Sequence, residues 1–473
     1  MALNLFNTLT RRVEPFGPLP ERGRSIGLYC CGPTVHDFAH IGNFKTFVLA
    51  DLLRRYLEFQ GCEVNHVMNI TDVEDKIIRR VRETGESLAD YTRRYEAAFF
   101  ADHRALNCLP PSATPRATES MSEIVDLIAR LRERGLAYVA GDGSVYFSIE
   151  KYRGCGCRYG QLLNLNFDQL RPGERVASDE YGKESIADFA LWKARVPEDG
   201  DVFWPSPWGD GRPGWHIECS AMSMKRLGPS FDLHLGGEDL IFPHHEDEIA
   251  QSEGAGLQPE GMPFVRHWVH VAFLLVEGRK MSKSLGNYFT LRDLLAKGFE
   301  GREIRYLLLS ARYRESFNFT LEGLQSARVA LARLDECGAK LRELAAGRPA
   351  TVETNDPLLA DVTRALDDDL NVSLAWGAVF EWVREQNRRI TEGNVGPFEA
   401  SSALGAWETV LGILGLLPSA DVEAPEAVRV LAEARQAARK GRDFGRADAL
   451  RDELKALGWV VEDTPKGPKL KRA

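Results

Sequence analysis

Apolar positions change period several times along this chain, and each change marks an element. Ser25 to Cys30 is a short, continuous apolar run closed by the turn residues Cys31-Gly32-Pro33-Thr34, which reads as a buried strand. Phe44, Phe47, Val48, Leu52, Tyr56 and Phe59 then recur at helical spacing. A helix is therefore predicted to begin near Gly42 or Asn43 and to stop at Gly61. Val64 to Ile70 reads as the next strand, and Phe231 to Leu235 and Val265 to Val276 as later ones. Strand, loop, helix and strand in this order predict an α/β protein built on a parallel, Rossmann-like nucleotide-binding sheet.

Breaks in the pattern divide the chain. Pro110-Pro111 and Pro115 close a first half of the sheet domain over residues 1–115. Residues 116–205 hold two helical stretches and a hairpin signal at Gly141-Asp142-Gly143, as expected of an inserted connective domain. The second half of the sheet domain follows over 206–295. Leucine-rich amphipathic runs predict a helical bundle over 296–417, and a small separate unit is expected over 425–473. Polar stretches near 346–356 and 418–425 read as loops or linkers.

Composition narrows the class. A chain of 473 residues with 44% hydrophobic and 27% charged content is multidomain and globular. No apolar run approaches the ~20 residues needed to span a bilayer. Met1 to Phe6 lacks the basic start and apolar core of a leader, so a cytoplasmic protein with no membrane partner is expected. The 8 cysteines are too few for a disulfide scaffold in so long a chain. Net charge of −9 argues against a protein coated in nucleic acid, yet about twelve Lys or Arg against about seven Asp or Glu make the end from Arg429 locally basic.

Two motifs carry phosphate chemistry. In His40-Ile41-Gly42-Asn43, a small Gly42 at a helix start lets a ligand approach the free backbone N–H groups, and His40 can donate to a phosphoryl oxygen. In Lys280-Met281-Ser282-Lys283-Ser284, two lysines lie between Gly278 and Gly286 and suit a loop that closes over a polyanion. Met281 is unusual in a basic loop, because its thioether needs something to pack against. Together the motifs read as two grips on one ATP.

A third constellation suggests a metal. Cys31 follows the first strand, and Cys219 lies in Trp215-His216-Ile217-Glu218-Cys219. His244 and Glu248 sit at i and i+4 and share a helical face, with Pro243 suited to that helix's first turn. Two thiolates, an imidazole and a carboxylate form a sensible zinc set. His245 could replace His244, His216 could replace another ligand, and Cys31 could be a core cysteine. The zinc-protease pattern His-Glu-x-x-His is absent, and Cys155-Gly156-Cys157 has no partner pair.

These motifs, with Phe6-Asn7-Thr8-Leu9-Thr10, Asn69-Ile70-Thr71-Asp72, Gly214 to Ser220, Phe242 to Glu246 and the stretch from Arg446-Ala447-Asp448 to Gly458, closely resemble the cysteinyl-tRNA synthetases, class I aminoacyl-tRNA synthetases, nearly end to end. The resemblance implies activation of L-cysteine with ATP and its transfer to the 3′ end of tRNA(Cys), by a monomer. It implies that Cys31, Cys219, His244 and Glu248 hold one zinc that binds the substrate thiol. It implies that Thr71, Trp215 and His234 line the amino-acid pocket. Asp239, in Gly236-Gly237-Glu238-Asp239, would meet the ribose hydroxyls. His40, Thr34, Gly42, Asn43, Lys280 and Lys283 would serve ATP and its phosphates, with Mg2+ accompanying the nucleotide. Asn43 stands where the motif usually has a second histidine, and Leu235 where glycine is common, so Leu235 is expected to alter the pocket edge.

The chemistry gives zinc a purpose. Cysteine and serine differ by one atom, and fit alone separates such pairs only by ~10–10². A soft metal contact prefers sulfur. The rival readings are an ATP-dependent ligase joining cysteine to a small amine (mycothiol-type), which generally lacks a small C-terminal unit, and a non-catalytic module binding cysteine or tRNA. Intact His40, Lys280 and Lys283 argue against the latter.

Overall fold

The computed structural model describes residues 2–163, 188–281, 285–353, 355–418, 426–441, 443–457, 459–464 and 467–472. The chain forms two compact units, 1–416 and 417–473.

At the centre of the first unit lies a parallel sheet of 4 strands in the spatial order Val265–Val271, Phe231–Gly237, Ser25–Cys30, Glu63–Met68. The strands are buried along most of their length, as parallel strands covered on both faces must be. The Ile41–Phe59 helix packs on one face. Its Ile41, Phe44, Val48 and Leu52 join Ile26, Leu28, Leu233, Leu235 and Val269 in the main core. Gly61 terminates it at φ +80°, a conformation that only glycine adopts without strain. From Ser25–Cys30 the chain moves outward to Glu63–Met68, and it later returns to Phe231–Gly237 on the other side of the first strand. Strand order thus reverses between Ser25–Cys30 and Phe231–Gly237, and the crevice beyond their carboxyl ends is where such sheets bind ligands.

Two expectations need correction. Val265 to Val276 is not one strand. The central-sheet strand ends at Val271, and Leu274–Val276 pairs instead with Arg279–Lys280 and with Phe317–Phe319. The break falls at Ala272-Phe273, whose peptide is held by side chains from other elements (below). Pro243 does not open the helix that carries Glu248. That helix is Glu246–Ala255, and Pro243 lies in the preceding turn, Ile241–His245, after a cis peptide bond.

A second sheet of 4 antiparallel strands runs Ala137–Val139, Val145–Phe147, Phe189–Ala194, Gly211–Pro213. Its first two strands form the hairpin signalled by Gly141-Asp142-Gly143, with Gly143 at φ +89°. Beneath it Ile124, Leu127, Ile128 and Leu131 of the Met121–Glu133 helix pack with Phe147, Leu191 and Trp192. The carboxylate of Glu246 accepts the backbone N–H groups of Gly160, Gln161 and Leu162, pinning this region to the start of the Glu246–Ala255 helix.

Helices Gly301–Leu308, Leu321–Leu344, Pro357–Asp367, Val372–Thr391 and Pro397–Leu414 complete the first unit. Arg305, fully buried, ties them to the sheet domain. Its guanidinium reaches Asp51 Oδ2 at 2.6 Å and donates to the carbonyls of Leu414 and Leu106. Burial alone would raise the Asp51 carboxyl pKa, but Arg305 and Arg55 more than offset it and hold it below the usual range. The second unit pairs helices Glu426–Lys440 and Phe444–Ala456 with the hairpin Trp459–Thr464 and Gly467–Arg472. Val428, Ala432, Leu454, Trp459 and Val461 form its small core.

Arg305→Met strips a buried carboxylate of one of its two guanidinium partners. It is expected to destabilise the protein by about 3 kcal/mol at neutral pH in urea unfolding. Because the Asp51 pKa is depressed on folding, this contribution exists above the ordinary carboxylate range and fades as pH falls through the folded value. The gap between variant and parent should therefore narrow in acid.

Candidate active site

The Cys31, Cys219, His244 and Glu248 side chains come together at the switch point, each at most 7% exposed. Three routes bring them there. Cys31 is the first residue past the Ser25–Cys30 strand, and its N–H donates to Leu235 O of the neighbouring strand. Cys219 lies on the inner face of the Trp215–Leu227 helix. His244 and Glu248 lie across the junction of the Ile241–His245 turn and the helix after it, with Nε2 and Oε1 3.1 Å apart.

The spacing suits a zinc ion held among the four. Bonds of about 2.3 Å to sulfur and about 2.0 Å to nitrogen require edges of roughly 3.8 Å between sulfurs and roughly 3.5 Å between sulfur and nitrogen. Cys31 Sγ lies 3.9 Å from Cys219 Sγ and 3.6 Å from His244 Nε2. Glu248 Oε1 lies 3.8 Å from Cys31 Sγ. The hydrogen bond with Cys31 outweighs burial and draws the Cys219 thiol down to about 6, while burial drives the Cys31 thiol up. A buried thiolate beside a buried carboxylate calls for positive charge; against the pull of burial, Cys219 and Glu248 hold the His244 imidazole up at about 10, and a metal ion would serve in its place. The four residues form a buried cluster compatible with a metal site.

The neighbouring histidines sort themselves by what their ring nitrogens already touch. His216 Nδ1 lies 2.7 Å from His244 Nδ1, and its Nε2 lies 3.5 Å from Asp247 Oδ2. It stands behind His244 and orients that ring, as outer-shell partners of metal-binding histidines do. His234 Nε2 meets Glu248 Oε2 at 3.0 Å and leaves Oε1 to face the sulfurs. His245 Nε2 also approaches Cys31 Sγ, at 3.4 Å, so Cys31, His234, His245 and Glu248 form a second possible donor group. That group offers one sulfur, and its His234 is already closed against the carboxylate. His245 Nδ1 continues to His270 and from there to Thr8 Oγ1, each step 2.7 Å. Gly236 makes room for the His245 ring, since a Cβ there would stand 2.5 Å from Cε1.

The pocket candidates lie at different depths. Trp215 is 39% exposed, with its ring centroid 4.4 Å from that of His244, so it forms part of the rim. Thr71 is buried beside Thr34, their backbones bridged, and its Oγ1 accepts from Asn69. His234 is fully buried behind Glu248 and stacks on Trp268 at 4.6 Å. Leu235 does not alter the pocket edge. Strand alternation turns it to the opposite face from His234, into the main core.

On the nucleotide side, His40 and Asn43 cap the Ile41–Phe59 helix. Asn43 N–H donates to His40 Nδ1, and Asn43 Oδ1 accepts from His40 N–H. Accepting at Nδ1 fixes the tautomer, so Nε2 carries the proton and is the donor. Burial lowers the His40 pKa, although Asp239 nearby pulls it the other way. Met281 finds its packing partner here: a Cβ on Gly42 would lie 3.1 Å from Met281 Cε. Lys280 is exposed, with Nζ 5.7 Å from the Phe273 ring centroid. Lys283 lies outside the described residues. Sequence reasoning missed Asn287, whose Nδ2 donates to the carbonyls of Val276 and Lys280 and staples the base of the lysine loop. It also missed the buried Lys45, which no motif marks, and a contact of Glu238, whose motif drew attention only to Asp239.

Comparison with known proteins agrees along the whole length. Residues 19–329 match the family model for the tRNA synthetases class I (C) catalytic domain, 361–417 a DALR domain, and 421–468 the cysteinyl-tRNA ligase anticodon binding domain. The cysteine–tRNA ligase of Chlamydia caviae is 45% identical over 476 residues, covering 99% of this chain and 98% of that protein. That of Solibacter usitatus is 45% identical over 484 residues and covers 100% of both. Among solved structures, Mycobacterium tuberculosis methionyl-tRNA synthetase with methionyl-adenylate superposes with a TM-score of 0.57 at 15% identity, over 83% of this chain and 89% of that one. Agrobacterium radiobacter LeuRS, in a ternary complex with tRNA and LeuAMS, gives 0.61 at 12% identity, over 85% of each. These two likenesses show a shared class I fold. Sequence identity over the full length shows more: the chain belongs to the cysteinyl-tRNA synthetase family.

Proposed function

We propose that the protein activates L-cysteine with ATP to cysteinyl-adenylate and transfers it to the 3′ end of tRNA(Cys), selecting the thiol through zinc held by Cys31, Cys219, His244 and Glu248. The observation that carries this reading is the meeting of two sulfurs, one imidazole and one carboxylate within 4.8 Å of one another at the carboxyl end of the parallel sheet. A zinc ion held there would supply a soft Lewis acid that favours a thiolate over a hydroxyl. His234 holds Glu248 and His216 holds His244, so the donors are oriented before substrate arrives. Trp215 and Thr71 would flank the amino acid.

The carboxylate of cysteine would attack the α-phosphorus of ATP, with pyrophosphate leaving. His40, through its Nε2–H, the Gly42 backbone and the side-chain amide of Asn43 would meet the phosphates from one side, near Thr34. Lys280 and Lys283 would meet them from the other, and Asp239 the ribose. Mg2+ would accompany the triphosphate. No side-chain nucleophile is required, so positioning and charge supply the catalysis. The halves 1–115 and 206–295 would build this site, with 425–473 reading the tRNA. The match of 421–468 to an anticodon binding domain favours this over an amine-joining ligase. The 8 free cysteines suit a reducing compartment such as the cytoplasm.

Cys219→Ser should lower zinc content and reduce cysteine-dependent ATP–pyrophosphate exchange about 10²-fold or more, with ATP affinity changed by less than about 2-fold. Near-normal exchange would sink the metal role. Removing residues after Leu416 should leave exchange nearly intact and reduce kcat/KM for tRNA(Cys) by about 10-fold or more. Unchanged charging by the truncated enzyme would refute the assignment of that unit.

A further inference from the structure

The loop that carries Lys280 and Met281 is a strap with two feet, and both feet rest on the first two turns of the Ile41–Phe59 helix. At the far foot, Ile41 N–H donates to Phe289 O at 3.0 Å, and His40 bridges Thr290. At the near foot, Lys45 Nζ donates to Ala272 O at 2.8 Å and to Glu315 O at 3.0 Å. Lys45 is only 3% exposed. A buried ammonium bonded to two carbonyls is a costly arrangement, and burial lowers its pKa to about 8 against the pull of Glu238 and Glu315. Such a group needs a reason.

The reason lies in the peptide it holds. The Ala272–Phe273 peptide presents its C=O to Lys45 and its N–H to Glu238 Oε1, at 2.7 Å. The flanking groups are satisfied too, since Ala272 N–H donates to Tyr313 O and Phe317 N–H donates to Phe273 O. Every polar group of this dipeptide is thereby committed. The central-sheet strand stops here, and the chain turns out to form Leu274–Val276 and Arg279–Lys280. Phe273 projects from the clamp, and its ring lies under Lys280. Three elements of the nucleotide site therefore meet at one peptide plane: the helix of His40, the Gly-Gly-Glu-Asp loop and the lysine strap.

We propose that Lys45 and Glu238 are positioning residues for adenylate formation, clamping the Ala272–Phe273 peptide from both edges so that the Lys280 strap is fixed relative to His40. Neither side chain is assigned contact with substrate. The clamp sets where the strap leaves the sheet, and so how the second phosphate grip faces the first. The inference rests on the ATP-dependent activation proposed above.

The test combines kinetics with hydrogen exchange in the full-length enzyme. Lys45→Met keeps the apolar stem and removes the donors. Lys45→Arg retains donors for both carbonyls. Glu238→Ala removes the acceptor, and Glu238→Gln retains one. In ATP–pyrophosphate exchange, Lys45→Met and Glu238→Ala should each lower kcat/KM for ATP by about 10- to 100-fold, with KM for cysteine moved by less than about 3-fold. The Arg and Gln variants should recover most of the loss. The double variant should be scarcely worse than either single one, because both act on one peptide. Hydrogen exchange, which needs no catalysis, should show faster exchange over residues 272–281 in Lys45→Met, so failure of the clamp is distinguishable from failure of the assigned reaction. If Lys45→Met does not fold, judged by its thermal melt, Glu238→Ala carries the same test. The proposal is overturned by unchanged strap exchange, by parallel losses for ATP and cysteine, or by single-variant effects that multiply.

Discussion

Burial of charge without water is the constraint that organises this molecule. Cys31, Cys219, His244 and Glu248 are withdrawn from solvent at the point where the sheet reverses direction. A thiolate and a carboxylate in such a place are tolerable only with positive charge between them and with fixed hydrogen bonds behind them. Both provisions are visible. The donor atoms leave room for one ion, and His234 and His216 brace the carboxylate and the imidazole from outside. The fold supplies these donors from a strand end, a helix face and a turn, so the centre exists only when the sheet domain is assembled.

The nucleotide side obeys the same economy. The helix start is capped by His40 and Asn43, which commits the Asn43 N–H and settles the tautomer of the histidine. Met281 Cε packs over Gly42, 3.1 Å from where a Cβ there would stand, so the glycine of one motif and the thioether of the other belong to a single contact. The lysine strap is anchored at both ends on that helix. Two motifs far apart in sequence are thus mechanically one device.

Much of this was legible in the residues, for physical reasons. Apolar period located the strands at Ser25–Cys30 and Phe231–Gly237 and the helix from Ile41, because those elements are buried on the faces the pattern marks. His244 and Glu248 were readable from their i,i+4 spacing even though the helix starts only after His245. The sorting of ligands from supporting histidines was not readable, since His216, His234, His244 and His245 differ only in what their second nitrogen touches. The break at Ala272-Phe273 was equally hidden. The stretch from Val265 to Val276 carries no turn residue, and the peptide at which the strand stops is held by a lysine and a glutamate distant in sequence. Leu235 misled for the converse reason: its place in the motif suggested the pocket, while the two-residue period of the strand put it in the core.

X-ray absorption at the zinc edge, on the full-length protein with and without L-cysteine, addresses the central claim most directly. The account predicts stoichiometric zinc with two sulfurs at about 2.3 Å and lighter nitrogen or oxygen neighbours, and a third sulfur on adding cysteine but none on adding serine. A shell without sulfur, or one that cysteine leaves unchanged, would contradict it.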